Sequence, residues 1–251
     1  MSSLTTSSIV FAFVFGGAML GMFLRAVVPQ HYLSDESKDV VKMGMGLVAT
    51  MSALVLGLLV SSAKNSFDTL GNEMTRVSSQ VILLDRSLAL YGPQTREARD
   101  LLRNTIAGVV GRINSRKPIL PTQVKASSHE VDGLYEMIQG LSPSDDRQRS
   151  IQARALALLI SLQETRWLMF EQESTSISMP MLIILLTWLF TLFVSFGIFA
   201  PANAAAVTAL FLSALSVSGA ILLILEMYAP YEGIIKVSTA PLIAALTQLG
   251  N

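Results

Sequence analysis

Residues 43–91 read MGMGLVATMSALVLGLLVSSAKNSFDTLGNEMTRVSSQVILLDRSLALY. The first part, to Ala63, is apolar over the length of about 20 residues that a helix needs to cross a bilayer. From Phe67 the apolar residues take a different order. Phe67, Leu70, Met74, Val77, Val81, Leu84, Leu88 and Tyr91 follow one another at alternating steps of three and four. That is the a/d seam of a heptad repeat, which strand alternation cannot produce. No proline interrupts the run, so the sequence predicts one helix from about Met43 to Tyr91, roughly 70 Å long at 1.5 Å per residue. Such a helix leaves the membrane near Lys64, and Gly92-Pro93 ends it.

The rest of the chain agrees with a membrane protein. Of 251 residues 51% are hydrophobic and only 14% are charged, against about 25% charged in a soluble domain. Three further stretches are long and apolar enough to span: about Ser8–Val28, Met181–Ala200 and Asn203–Met227. The first lacks the basic start of a signal peptide and is read as a retained span. Basic and acidic residues balance at 18 each, which gives no pull toward nucleic acid. The chain has no cysteine, which removes disulfides, thiolate nucleophiles and cysteine metal sites.

The expected fold is therefore all-α and polytopic, with four transmembrane helices. Residues 1–63 carry the first two spans, 64–178 a helical polar domain, 179–228 the last two spans, and 229–251 a C-terminal amphipathic tail. Within 64–178 the pattern predicts the heptad helix, a second helix over about 94–113, a loop over 114–127 with two prolines, and a third helix over about 128–141. A long fourth helix opens at Ser142-Pro143, with Ser as N-cap and Pro at the first position. In the tail, Leu242, Ile243, Leu246 and Leu249 share one helical face, suited to the membrane surface or to the polar domain. Four spans put both termini and the polar domain on one side.

Several side chains are candidates for function. Gly46, Thr50, Ala53, Gly57, Ser61 and Lys64 lie at steps of three or four along the second span. A small, partly hydroxylated stripe that ends in a cation suits an anion path. It equally suits a close-packing face, and Lys64 equally suits a lysine snorkelling at the interface. Glu226 is the acidic residue of the fourth span, and an ionisable group at that depth calls for a partner. Both residues end their spans on the same side, so Lys64 and Glu226 form a candidate charged pair. Asp35 and Glu36, after a Ser34 N-cap, sit where the helix dipole favours anions, which explains them without a ligand; a divalent cation on Asp35, Glu36 and Asp39 is the weaker alternative, and His31 is expected at the surface rather than on a metal. Asp85-Arg86 lies beside the heptad seam and predicts a salt bridge to a neighbouring helix. Gly17 and Gly21 form a GxxxG contact motif. The hydroxyls of Thr187, Thr191, Ser195, Ser213 and Ser216 are expected to bond their own helices. No enzyme motif occurs, so no catalytic residue and no cofactor is expected.

The segments HYLSDESKDVVKMGMGLVATMSALVLGLLVSSAKNSFDT, ILLDRSLALYGP and PYEGIIKVSTAPLIAAL resemble bacterial proteins of the bestrophin-like family. The resemblance implies four spans with a helical domain between spans two and three, in the cell inner membrane, with that domain and both termini cytoplasmic. By analogy with bestrophins, it implies a homo-oligomer, a pentamer, that conducts small anions along span two. Bestrophin pores narrow at bulky apolar residues of that span, for which Met51, Val55 and Leu59 are the candidates here. The alternative is a membrane-anchored scaffold or sensor that binds a protein partner through its cytoplasmic helices and conducts nothing.

Overall fold

The computed structural model describes residues 2–27, 35–114, 131–174, 179–230 and 233–249. Among these residues the fold is all-helical. The helices are α1 (Ser3–Val27), α2 (Asp35–Tyr91), α3 (Arg96–Asn114), α4 (131–139), α5 (Asp146–Ser174), α6 (Met179–Phe199), α7 (Ala204–Met227) and α8 (Ala240–Gln248). Four of them, α1, α2, α6 and α7, are long and apolar enough to cross a membrane. The predicted Met43–Tyr91 helix is continuous and starts earlier, at Asp35. The expectations for His31, Ser34 and the proline loop fall outside the described residues, as do the side chains of Asp35 and Glu36. Two compact units form: Met1–Phe67 with Ser176–Ile235, and Asp68–Thr175 with Lys236–Asn251.

In the first unit α1 packs against α6 and α7. Glycine makes the α1–α6 crossing close: a Cβ on Gly17 would stand 2.9 Å from the Phe190 ring, and Phe13 stacks on that ring at 4.5 Å between centroids. The α1–α7 contact is tied by a buried pair of serines. Ser7 Oγ donates to Ser218 O at 2.9 Å, and Ser218 Oγ donates to Ser7 O at 2.7 Å. The two hydroxyls satisfy each other where neither water nor lipid could. The apolar core of this unit runs through Val14, Ala18, Leu185, Ala214 and Ile221, with Leu59 and Ala63 of α2 set into it. Thr187, Thr191, Ser213 and Ser216 donate to carbonyls four residues back in their own helices, as expected.

In the second unit the heptad seam is buried. Leu70, Met74, Val81, Leu84, Leu88 and Tyr91 lie in the core with Ala98, Leu102 and Ile106 of α3 and Ala155 and Leu159 of α5. Gly92, at φ 135°, reverses the chain after α2 in a conformation that only glycine adopts readily. Side chains then close the helix ends, whose last carbonyls lack partners within the helix. Thr95 Oγ1 donates to Leu88 O at 2.6 Å, and Gln148 Nε2 donates to Tyr91 O at 3.1 Å. Gln152 Nε2 does the same for α4, donating to Ile138 O and Leu141 O. The tail helix α8 packs on α3 and buries Leu242, Ala245 and Leu249, so of its two expected surfaces it takes the domain.

The start of α5 differs from the expectation. The helix begins at Asp146, not at Pro143, and its N-cap is Asp145, whose Oδ1 accepts Gln148 N–H at 2.6 Å. Gln148 Oε1 returns the contact to Ser144 N–H at 2.8 Å. Asp145 and Gln148 form a capping box shifted by one residue on its return side. A carboxylate that reaches the third helical N–H outcompetes Ser142 as the start signal.

Candidate functional site

At 100° per residue α2 presents two faces within its apolar half. Leu59 and Ala63 are buried in the first unit's core, with Val55, Leu56, Val60 and Phe67 packed beside them. Ser52 is buried too, its hydroxyl turned back to Val48 O at 2.7 Å. Ser62, at the edge, meets the hydroxyl of Tyr228 at 3.3 Å. The six stripe residues fall on another face. Gly46, Thr50, Ala53, Gly57, Ser61 and Lys64 are all exposed, and they cluster within about 80° of arc, centred roughly 120° from the packing face.

The stripe faces open space at both of its glycines. A Cβ placed on Gly46 or Gly57 would meet nothing within 4 Å. Close packing within one chain therefore does not account for these small residues. Thr50 contributes little free polarity, because its hydroxyl donates to its own helix at Leu47 O and Gly46 O. Beside the small stripe runs a bulky exposed strip of Leu47, Met51, Leu54 and Leu58. Among the four candidate spans, α2 is the least covered by the rest of the chain.

The three neck candidates differ in burial within the chain. Leu59 is buried and Val55 is half-buried against the bundle, while Met51 is exposed.

Glu226 lies near the end of α7 and is buried. Its Oε2 accepts the backbone N–H of Ile234 and, at 3.3 Å, that of Ile235. Lys64 is exposed on α2. Periodicity gave no sign of the backbone partners of Glu226, since a loop's N–H groups carry no residue code. The glycine at 233 is the one local hint, because side-chain atoms of Glu226 fill the place of its Cβ.

Asp85 has the partner that its position predicts, and that partner is Arg99 of α3. The bridge is two-pronged: Arg99 Nε to Asp85 Oδ1 at 2.7 Å and Arg99 Nη2 to Oδ2 at 3.0 Å. Asp85 is buried, Arg99 is only partly exposed, and the neighbouring Arg86 is exposed. The Arg99 pKa is raised above its ordinary value, first by the hydrogen bond to Asp85 and then by the nearby carboxylate charges, with burial opposing. This pair fastens helices and offers no open position to a substrate.

These features define a membrane protein that is all-helical among the described residues, with four helices long and apolar enough to span a bilayer. A bestrophin-like domain matches residues 11–242, nearly the whole chain, and the protein belongs to the bestrophin-like family. No curated protein and no solved structure matches it.

Proposed function

We propose that this protein is a homo-oligomeric membrane pore for small anions, with α2 along the path and Lys64 at its mouth. The observation that carries the reading is the exposed face of α2: six small or cationic residues in register, with open space beside Gly46 and Gly57. Small side chains leave room for a hydrated path, and a cation at its end raises the local anion concentration. The bulky strip of Leu47, Leu54 and Leu58 then meets lipid or the next copy. Family membership supports the channel class, and bestrophin analogy supports five copies. In this reading the polar domain and both termini are cytoplasmic in a bacterial inner membrane, and Lys64 acts at the vestibule. No catalytic step, cofactor or nucleic acid enters it.

Purified protein in liposomes tests the reading through anion flux and its charge dependence. Wild type should pass small anions, Lys64→Gln should lower the flux, and Lys64→Glu should reduce or invert the preference for anions over cations. A wild type that is monomeric in nanodiscs and silent under both anion and cation gradients would overturn it. That result would favour the scaffold or sensor.

A further inference from the structure

Glu226 raises a question that a conduction path does not answer. A buried carboxylate is costly unless hydrogen-bonded or paired, the more so near a membrane span. Here two successive backbone N–H groups, of Ile234 and Ile235, converge on one oxygen, Oε2. Converging main-chain N–H groups make an anion-binding concavity, and bonds to an ionised acceptor are roughly twice as strong as neutral ones. The concavity lies eight and nine residues downstream of the side chain that fills it.

Gly233, which precedes the two donors, fits the same contact. A Cβ there would overlap Glu226 Oε2, stand 3.0 Å from its Cδ and lie 3.3 Å from Ala229 O. Gly92 alone among the described glycines has a positive φ, so the Gly233 backbone does not itself demand glycine. The absence of a side chain at 233 is needed because the carboxylate is there.

We propose that the N–H groups of Ile234 and Ile235 form a carboxylate-binding cradle whose resident ligand is Glu226. The contact latches the segment that follows the fourth span onto the end of α7. A small monocarboxylate takes the resident's place when the side chain is cut back. The latch requires neither conduction nor oligomerisation, so it stands or falls apart from the pore.

Amide hydrogen exchange at Ile234 and Ile235, with thermal unfolding in detergent, tests it on the full chain. Glu226→Ala should speed exchange at both amides by about ten- to a hundredfold, the loss expected for a hydrogen bond to a charged group. Sodium formate should restore protection beyond sodium chloride of equal ionic strength. Gly233→Ala should loosen the same amides in the wild-type background, yet add little to Glu226→Ala, because the group it collides with is gone. The double variant should also lose the formate response, its Cβ now standing in the cradle. Unchanged exchange in Glu226→Ala, no formate response, or additive effects of the two substitutions would each overturn the proposal. Should Glu226→Ala not fold, Glu226→Gln carries the test. It keeps an acceptor oxygen without the charge, so partial loss of protection supports the latch and wild-type protection refutes it.

Discussion

Gly21 of α1 and Gly197 of α6 meet backbone to backbone. A Cβ on Gly21 would stand 3.0 Å from the Gly197 Cα and would overlap Val194 O, and a Cβ on Gly197 would overlap Ala18 O. Small residues at such a crossing let two helices gain van der Waals contact over their length, which drives association where lipid removes the hydrophobic force. Gly21→Ala and Gly197→Ala should therefore each destabilise the protein by about 1–3 kcal/mol through overpacking. Gly16→Ala, on the open side of α1 with nothing within 4 Å, should be close to neutral. Unfolding titrations of the three variants in mixed micelles check this, and equal losses at positions 16 and 21 would contradict it.

The serine pair makes a prediction about coupling. Ser7→Ala and Ser218→Ala each remove one donated bond and leave the other in place, since alanine keeps the main-chain carbonyl, so each should cost about 0.6 kcal/mol, the average for hydrogen bonds between membrane helices, and at most about 1.7. The double substitution should cost about the sum, because neither single change orphans the other hydroxyl. A double-mutant cycle on unfolding free energy reads any departure from the sum directly.

The Asp85–Arg99 bridge fastens α2 to α3. Arg99→Ala strands the buried Asp85 carboxylate and should cost about 3–5 kcal/mol, whereas Asp85→Ala leaves an arginine that reaches water and should cost less. Arg99→Lys should restore only part of the loss, since an ammonium cannot make the two-pronged contact. The pH dependence follows from the raised Arg99 pKa. A cation whose folded pKa lies above its unfolded value contributes its full stability below the unfolded pKa and loses it only as pH rises through the folded one. Arginine titrates above about pH 12, so the bridge should show no arginine-linked loss between about pH 7 and 10 in thermal unfolding. A steep loss in that window that vanishes in Arg99→Lys would contradict the assignment.

How much of this was legible in the sequence varies with the kind of contact. Apolar length carried the candidate spans, and hydrophobic period carried the heptad seam, because burying one face of a helix constrains every third or fourth residue. It also placed Asp85 beside the seam, where a bridge to another helix was expected, but no pattern in the chain singles out Arg99. The start of α5 was misplaced by three residues because Ser142-Pro143 is a start signal in its own right and Asp145 a stronger one. Glu226 was singled out by depth alone, and its backbone donors depend on a loop conformation that no side-chain pattern encodes. The stripe on α2 was visible as a pattern, but only the structure separates it from the packing face that holds Leu59 and Ala63.

The most direct test of the central claim uses the absence of cysteine from the chain, which makes every introduced thiol unique. Thr50→Cys, Ala53→Cys, Gly57→Cys and Ser61→Cys would be exposed, in liposomes, to a charged, membrane-impermeant thiol reagent that reacts with thiolate in water. If the stripe lines an aqueous anion path, these four thiols react and the modification changes anion flux. Leu54→Cys and Leu58→Cys, on the bulky strip, and Ala214→Cys, in the core, stay inert. Four unreactive stripe thiols beside intact anion flux, or reactive ones whose modification leaves flux unchanged, would contradict the pore.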